Sequence, residues 1–450
     1  MKTLVYGLGE SGVAAARAII EMGDEVIVAD SDDSQRTRGI VDSLGVEGHL
    51  GTGSKVLEEG VDRVVASPLV RPRNPLLVAA EEEGIPVLSE VALGLELLGP
   101  GVRTAAVTGT NGKTTVVGML HSILAAANVT HAVAGNSWRA LTGCLEEVRK
   151  AGVLVLELSS FQLHYLPEPG FEVAMLLNVR PDHLNWHDSI EEYAADKLRI
   201  FEGQGPPDLA LVSANDPASQ DATGSIVAET VVIGIGGTLV EGERLLLRGR
   251  PLAEVVELPF VGPHNYENAL FAAAAAERFG VELVEVREGL IGYQIEPHRL
   301  ETVAERDGVT YVDDSKATNP AAVAAALRSF DGTTVLILGG SEKETDFSEI
   351  LPLLDGCRAI VCQGEAGPRI YEFLENKGVP IDVLLAPDLC GAVEKACRFA
   401  HPGDVVLLSP GCASFDQHAG YAERGAAFAR IVTEGVGGHT EQPDKGAVGL

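Results

Sequence analysis

The chain has 450 residues, with 34 Lys or Arg against 65 Asp or Glu, a formal net charge of −31. That balance repels nucleic acid and anionic lipid in bulk, so neither is expected as a partner, and any anionic substrate must be met by local cations and helix ends. At about 150 residues per domain, the length points to roughly three domains. Residues 3–6 read as a short apolar strand, followed by Gly7-x-Gly9-x-x-Gly12, a helix carrying Val13, Ala16, Ile19 and Ile20, and a strand over 25–29 that ends at Asp30. Strand, glycine turn, helix and an acid about 20 residues on make the dinucleotide fingerprint, which points to a pyrophosphate site. An NAD- or FAD-linked oxidoreductase is one reading of it; a turn holding another phosphate, with Asp30 as a helix N-cap, is a second.

A strand over 63–67, the Pro-rich run 68–72, a helix reaching Glu82 and a short strand over 85–88 follow. Gly99-Pro100-Gly101 is a linker signal, so the first domain boundary is expected near residue 98. The apolar run 104–108 then reads as a buried strand entering Gly109-Thr110-Asn111-Gly112-Lys113-Thr114-Thr115, with a helix after it. This is the arrangement of a P-loop. Glycines let backbone N–H groups approach phosphates, and the helix start adds positive dipole. Lys113 reaches the β/γ oxygens and the Thr114 hydroxyl suits Mg²⁺. The loop is shorter than the general pattern, with Val107 where the longer motif has its first glycine.

Residues 151–157 read as a strand ending in Glu157, and an acid at that place beside a P-loop is where a Mg²⁺ ligand is expected. A strand over 173–179 leads to Asp182-His183, then to a helix with Tyr193, Lys197 and Ile200. His183 taken alone suits a structural histidine as well as a metal ligand. Strands over 209–212 and 231–233 and a hairpin around Gly242 come next, then a long Ala-rich helix from Asn268 to Phe279, capped by Asn265. A second boundary is expected near Glu296-Pro297. Beyond it, strands over 310–313, 334–338, 359–362, 383–386 and 405–408 alternate with helices, which predicts a parallel sheet. Residues 435–450 lack periodicity and are expected to be disordered. None of the six cysteines forms a Cys-x-x-Cys pair, so all are expected to be reduced thiols. Charges and glycines interrupt any signal-peptide core near the N-terminus, and the uncharged run 114–138 is too polar to span a bilayer. The expectation is a soluble, cytoplasmic monomer.

Taken together, several of these stretches resemble the Mur ligases, the ATP-dependent amide-forming enzymes of peptidoglycan assembly. The residues that carry the resemblance are the Gly109–Thr115 loop, Leu-Glu-Leu-Ser-Ser-Phe-Gln-Leu at 156–163, Asn178-Val-x-x-Asp182-His183-Leu and Lys197-Leu-Arg-Ile-Phe. Asp313-Asp-Ser-Lys-Ala-Thr-Asn-Pro320 and Leu408-Ser-Pro-Gly-Cys-Ala-Ser-Phe-Asp-Gln417 complete the set, in family order. The resemblance implies an α/β chain of three domains: a Rossmann-like UDP-substrate domain (1–98), a central P-loop ATPase with a mostly parallel sheet (99–297) and a Rossmann-like amino-acid domain (298–434). The implied activity is ligation of D-glutamate to UDP-N-acetylmuramoyl-L-alanine through an acyl phosphate, giving ADP and phosphate. A related ligase adding a different amino acid is the alternative.

By the same resemblance, Ser11 and Asp30 are expected at the UDP part and Asn136 at the muramoyl side. One Mg²⁺ is expected on Thr114 and Glu157, and a second on His183 and a carbamylated Lys197. Asn268, Arg299 and Asp314 are expected to hold the nucleotide, while Lys316, Thr318, Lys343, Ser414 and Tyr421 surround D-glutamate. The chain departs from the family's usual residues at Leu69, Ser137-Trp138, Asn185-Trp186, His418 and Tyr421.

Overall fold

The computed structural model describes residues 1–434 except Thr52, Gly53, Leu184, Asn185, Asp331, Lys343 and Glu344. The expectations on Lys343, on Asn185 and on the tail 435–450 therefore lie outside the described residues. The chain divides into two compact units, Met1–Pro259 with Asn265–Tyr293, and Phe260–His264 with residues from Gln294 onward.

The first unit contains two parallel sheets. Strands β1 (Lys2–Tyr6), β2 (Glu25–Asp30), β3 (Glu47–Leu50), β4 (Arg63–Ala66) and β5 (Val87–Ser89) stand in the order β3-β2-β1-β4-β5. Successive residues of β1 feed opposite faces, Leu4 and Tyr6 into one apolar cluster and Val5 into the other. That two-sided burial is why the strand reads as a continuous apolar run rather than an alternation. Strands β6 (Arg103–Thr108), β7 (Ala132–Gly135), β8 (Val153–Glu157), β9 (Val173–Leu176), β10 (Leu209–Ser213) and β11 (Glu229–Ile233) form the second sheet, in the order β11-β10-β9-β6-β8-β7. In both sheets the strand that leads into the glycine loop, β1 or β6, sits where the strand order reverses. Such a switch point opens a crevice at the carboxyl ends of the strands, where ligands bind in open α/β sheets.

A small antiparallel sheet joins β12 (Leu239–Glu241), β13 (Arg244–Leu247) and β14 (Arg250–Glu254). The Ala-rich helix runs from Pro263 to Arg278, so it begins five residues before the expected start and Asn265 lies inside it rather than capping it. Proline has no N–H to leave unpaired and a φ already near helical, so the first position suits it. Residues Ala272 to Ala276 are all buried, and their small side chains let the helix lie close to its neighbours.

In the second unit, β15 (Glu301–Arg306), β16 (Val309–Asp313), β17 (Thr334–Gly339), β18 (Cys357–Gln363), β19 (Asp382–Leu385) and β20 (Val405–Leu408) stand in the order β15-β16-β20-β17-β18-β19. The expected parallel strands are joined by one that was not anticipated, since β15 pairs antiparallel with β16. The two residues between them, Asp307 and Gly308, have φ of 52° and 76°. Positive φ at both central positions is the tight hairpin turn that Asp-Gly favours. Leu336 and Leu338 pack on one face of this sheet while Val335 and Ile337 pack on the other. Each such fully buried side chain contributes about 1.5–3 kcal/mol. All six cysteines are free thiols. Among the described residues no helix is long and apolar enough to cross a membrane.

Candidate active site

The P-loop joins β6 to the helix Lys113–Ala126. Gly112 has a φ of 88°, and a Cβ there would lie 2.7 Å from Asn268 Oδ1, so glycine is required for conformation and for space alike. The same closeness places the buried Asn268 against the loop. The end of β9 pins the other side. Thr110 N donates to Asn178 O (2.9 Å), Asn111 N donates to Asn178 Oδ1 (2.9 Å), and Asn178 Nδ2 donates to Asn111 O (3.2 Å). Thr110 Oγ1 accepts from Arg180 N at 2.9 Å and shares a 3.1 Å contact with the Tyr193 hydroxyl.

Two amines converge on one carbonyl of this loop. Lys113 Nζ donates to Gly109 O (2.7 Å) and Thr110 O (2.9 Å), while Lys197 Nζ donates to the same Gly109 O at 2.9 Å. Lys197 is 1% exposed and lies 4.5 Å from the centroid of the Tyr193 ring. Burial, reinforced by the Lys113 charge, holds its amine well below the ordinary lysine range; Asp182 and Asp196 act in the opposite sense. The His183 ring is 6.4 Å from the same Tyr193 ring and 5.0 Å from Phe161, and its backbone φ is 56°. Thr114 and Thr115 are buried in the first turn of the P-loop helix.

Glu157 ends β8 directly beside the loop, in register with Val107 of β6. It is fully buried, and three neutral groups donate to its carboxylate: Asn136 Nδ2 (3.0 Å), Ser137 Oγ (2.8 Å) and Trp138 Nε1 (3.1 Å). Thr114 hydroxyl and Glu157 carboxylate are oxygen donors of the type a hard divalent cation takes. The structure therefore gathers Lys113, Thr114, Glu157, Lys197 and Asn268 around the carboxyl ends of β6 and β8.

Sequence reasoning missed the brace behind His183. Ser160 Oγ meets His187 Nε2 at 2.9 Å, and Asp196 pairs with His187 Nδ1 at 3.3 Å and His164 Nδ1 at 2.9 Å. Ser160, His187 and Asp196 are all buried, so the trio fixes the segment after His183 and offers no nucleophile to solvent. A lone acid before Lys197 carries no motif that would have announced it.

At the first glycine turn, a cavity of about 610 Å³ is lined by Gly7, Asp30, Leu69, Asn74 and the arginines Arg36, Arg71 and Arg73, among others. A Cβ on Gly12 would fall 1.9 Å from Gly7 O, the close helix–strand approach that the third glycine of the fingerprint permits. Asp30 is no helix cap. Its carboxylate accepts from Leu8 N (2.6 Å) and Asp32 N (2.9 Å), stapling the glycine turn to the end of β2, and Ser34 caps the next helix. Ser11 lies in the first turn of the helix Glu10–Met22, and Leu69 is 82% exposed on the cavity's rim. The three arginines had no signature because they are scattered between elements.

In the second unit, Asp314 follows β16 and accepts from Ser409 Oγ at 2.7 Å; burial raises its carboxyl to about 7. Glu296 gathers two expected residues, accepting from Arg299 Nε at 2.8 Å and Lys316 Nζ at 3.1 Å, with Lys316 Nζ 5.3 Å from the Tyr421 ring centroid. Thr318 is half-buried and Ser414 buried. Arg424, also missed, is 1% exposed and donates to Ser315 Oγ (2.9 Å), Ser315 O (2.8 Å), Cys412 O (3.0 Å) and Ala413 O (3.1 Å). It ties the loop after β16 to the loop after β20.

A glycine loop at a switch point, Lys113 and Thr114 at the helix start, and an acid at the adjacent strand end make the arrangement of an α/β protein that holds nucleotide phosphates. Comparison with known families narrows the class. Three family models match in chain order: the Mur ligase MurD-like N-terminal domain at residues 1–89, the Mur ligase middle domain at 107–276, and the Mur ligase glutamate ligase domain at 298–412. The chain belongs to the Mur ligase family. It is 66% identical over 431 residues to the UDP-N-acetylmuramoylalanine–D-glutamate ligase of Rubrobacter xylanophilus, covering 96% of this chain and 98% of that one. The enzyme of the same name from Streptomyces avermitilis is 40% identical, with 95% and 97% covered. Among solved structures, the fold is similar to MurF ligase from Thermotoga maritima in complex with ADP (TM-score 0.60, 17% identity, 91% of this chain and 95% of that one). It is likewise similar to UDP-N-acetylmuramate-alanine ligase from the same organism (TM-score 0.59, 20% identity, 96% and 99% covered).

Proposed function

We propose that this protein ligates D-glutamate to UDP-N-acetylmuramoyl-L-alanine, consuming ATP and giving ADP and phosphate, as a cytoplasmic step of peptidoglycan precursor synthesis. The observation that carries the reading is the 66% identity to a ligase of that name across 98% of its length. The cluster of Lys113, Thr114, Glu157 and Lys197 supports it from the chemical side. On this reading the three domains are residues 1–98, 99–297 and 298–434, acting within a single chain.

The substrate's alanyl carboxylate attacks the γ-phosphorus of ATP, the bond to the β-phosphate oxygen breaks, and ADP leaves an acyl phosphate behind. The amine of D-glutamate then attacks the acyl carbon, phosphate departs, and the nitrogen loses a proton as the amide forms. The obstacle to the first step is charge. Each like-charge pair near 4 Å costs on the order of 4 kcal/mol at an effective dielectric of about 20. Lys113 answers part of it by leaving the Gly109 and Thr110 carbonyls for phosphate oxygens, which are stronger acceptors because they are anionic. Divalent ions, when bound, supply the remaining neutralisation between carboxylate and phosphate. Thr114 and Glu157 would hold one Mg²⁺, and His183 with a carbamylated Lys197 the second. Only a neutral amine nitrogen adds to CO₂, and burial favours that form of Lys197, so its environment suits the modification.

Asn268, Arg299 and Asp314 serve the nucleotide. Ser11, Asp30 and Asn136 serve the UDP-muramoyl substrate, with Arg36 and Arg71 suited to its diphosphate. Lys316, Thr318, Lys343, Ser414 and Tyr421 serve D-glutamate, whose carboxylates suit the two ammonium groups. The test is phosphate release from ATP with UDP-N-acetylmuramoyl-L-alanine and a panel of amino acids. D-glutamate is expected to give the highest rate, and a higher rate with another amino acid would overturn the assignment. Mass spectrometry under non-acidic conditions checks Lys197 for the added mass of one CO₂.

A further inference from the structure

The turn over Asn136–Arg139 is fastened to the end of β8 by its backbone. Asn136 N donates to Glu157 O, Gly135 N to Arg139 O and Trp138 N to Gly135 O, each at 2.9 Å. Three consecutive side chains from that turn then reach one carboxylate. Asn136 Nδ2 (3.0 Å) and Ser137 Oγ (2.8 Å) both go to Glu157 Oε1, whereas Trp138 Nε1 (3.1 Å) goes to Oε2. An ionised carboxylate has about four lone-pair sites. Two donors fill Oε1 and one donor half-fills Oε2, so a single acceptor direction is left. The carboxylate is also fully buried, and the three groups that donate to it are all neutral. A buried acid held only by neutral donors is a place where an added cation is favoured.

We infer that Ser137 and Trp138 are positioning residues that leave only Oε2 of Glu157 free, so that the carboxylate meets a divalent cation through one oxygen. The inference rests on the reading of Glu157 as a Mg²⁺ ligand and adds to it a basis for choosing among metals. Mg²⁺ demands compact octahedral coordination and takes carboxylates singly, whereas Ca²⁺ accepts six to eight oxygens and bidentate carboxylates. A carboxylate with both edges of Oε1 already occupied disfavours the second mode. Groups that orient a ligating side chain in this way typically change metal affinity by about 10- to 100-fold when removed.

The experiment uses the full chain without nucleotide and Mn²⁺ as the probe, counted by its electron paramagnetic resonance signal and displaced by Mg²⁺ or by Ca²⁺. Ser137→Ala and Trp138→Phe are expected to weaken Mn²⁺ binding by about 10-fold or more, and to shift the displacement ratio toward Ca²⁺. Ser137→Thr, which keeps the hydroxyl, is expected to restore both. Ser137 is exposed, so its truncation does not open the core, and circular dichroism confirms the fold of each variant. A second readout is optical. Trp138 and Trp186 are the only tryptophans, so in a Trp186→Phe background Mn²⁺ is expected to quench the remaining emission. If Glu157→Gln binds Mn²⁺ as well as the wild type does, Glu157 is not a ligand and the underlying reading fails. If Glu157→Gln loses Mn²⁺ while Ser137→Ala and Trp138→Phe keep both affinity and displacement ratio, the positioning role alone is overturned.

Discussion

Replacing Arg424 by methionine tests how the second unit holds the loops after β16 and β20 together. The guanidinium is buried in the helix Tyr421–Glu434 and reaches Ser315 on one loop and Cys412 and Ala413 on the other. Methionine fills much of the space and makes none of these bonds. Ala413 O keeps its donor from Ser341 N at 2.8 Å, and Ser315 Oγ keeps its own bond to Tyr421 O at 2.8 Å. The carbonyls of Ser315 and Cys412 lose the guanidinium. At about 1–3 kcal/mol for each buried group that loses its partner, the gross cost is about 2–6 kcal/mol. Part is returned, because the buried cation is itself unfavourable; burial presses the Arg424 pKa down to about 10. A net loss of about 3 kcal/mol is expected, or roughly 6–12 °C in melting temperature for a unit of this size. Urea unfolding followed by circular dichroism measures it, and a variant within about 1 kcal/mol of wild type would refute the reasoning, since that is the worth of one ordinary hydrogen bond. Lysine at the same position keeps the charge without the planar fork and is expected to recover only part of the loss. Because Lys316 and Ser414 ride on the two loops, KM for D-glutamate is expected to rise in Arg424→Met.

Other outcomes follow from the site. Gly112→Ala forces a side chain into a φ of 88° and against Asn268 Oδ1; a loop that must distort to relieve about 1–2 kcal/mol of strain should show a loss of about 5- to 30-fold in affinity for a fluorescent ADP analogue. If Lys113 meets the transferring phosphate as proposed, Lys113→Ala is expected to lower phosphate release by at least about 100-fold while leaving the circular dichroism spectrum unchanged. The carboxyl of Asp314, raised from 3.8 to about 7 by burial, gives the folded state more bound protons than the unfolded state in that window. Stability should therefore fall as pH rises from about 4 to about 7, and Asp314→Asn should flatten that slope in a series of urea titrations.

The sequence showed most clearly those features that depend on local chemistry. The P-loop was legible because glycine, lysine and threonine at fixed spacing between an apolar strand and a helix have one mechanical reading. Glu157 was legible for the same reason, as an acid at a strand end. The antiparallel strand β15 was missed although Asp307-Gly308 is a hairpin signal, because the repeated strand–helix alternation downstream dominated the reading of that region. The start of the helix at Pro263 was misplaced because Gly262-Pro263 was taken only as a break, when proline also opens helices. The arginines lining the first cavity and the Asp196–His187–Ser160 brace were invisible for a different reason. Their partners are brought together by the sheet order, and no spacing along the chain records that. Ser137 and Trp138 stood out only as unusual neighbours of Asn136 until the turn placed them on Glu157.

The shared carbonyl of Gly109 has a consequence for which nucleotides the loop can tell apart. With Lys113 lying across the backbone of its own loop, the resting protein already satisfies that ammonium, so a ligand gains from it only by presenting an anionic oxygen within its reach. Adenosine offers none. On the proposed reading, then, the lysine would respond to the polyphosphate tail, and the loop would count phosphates more than read purines.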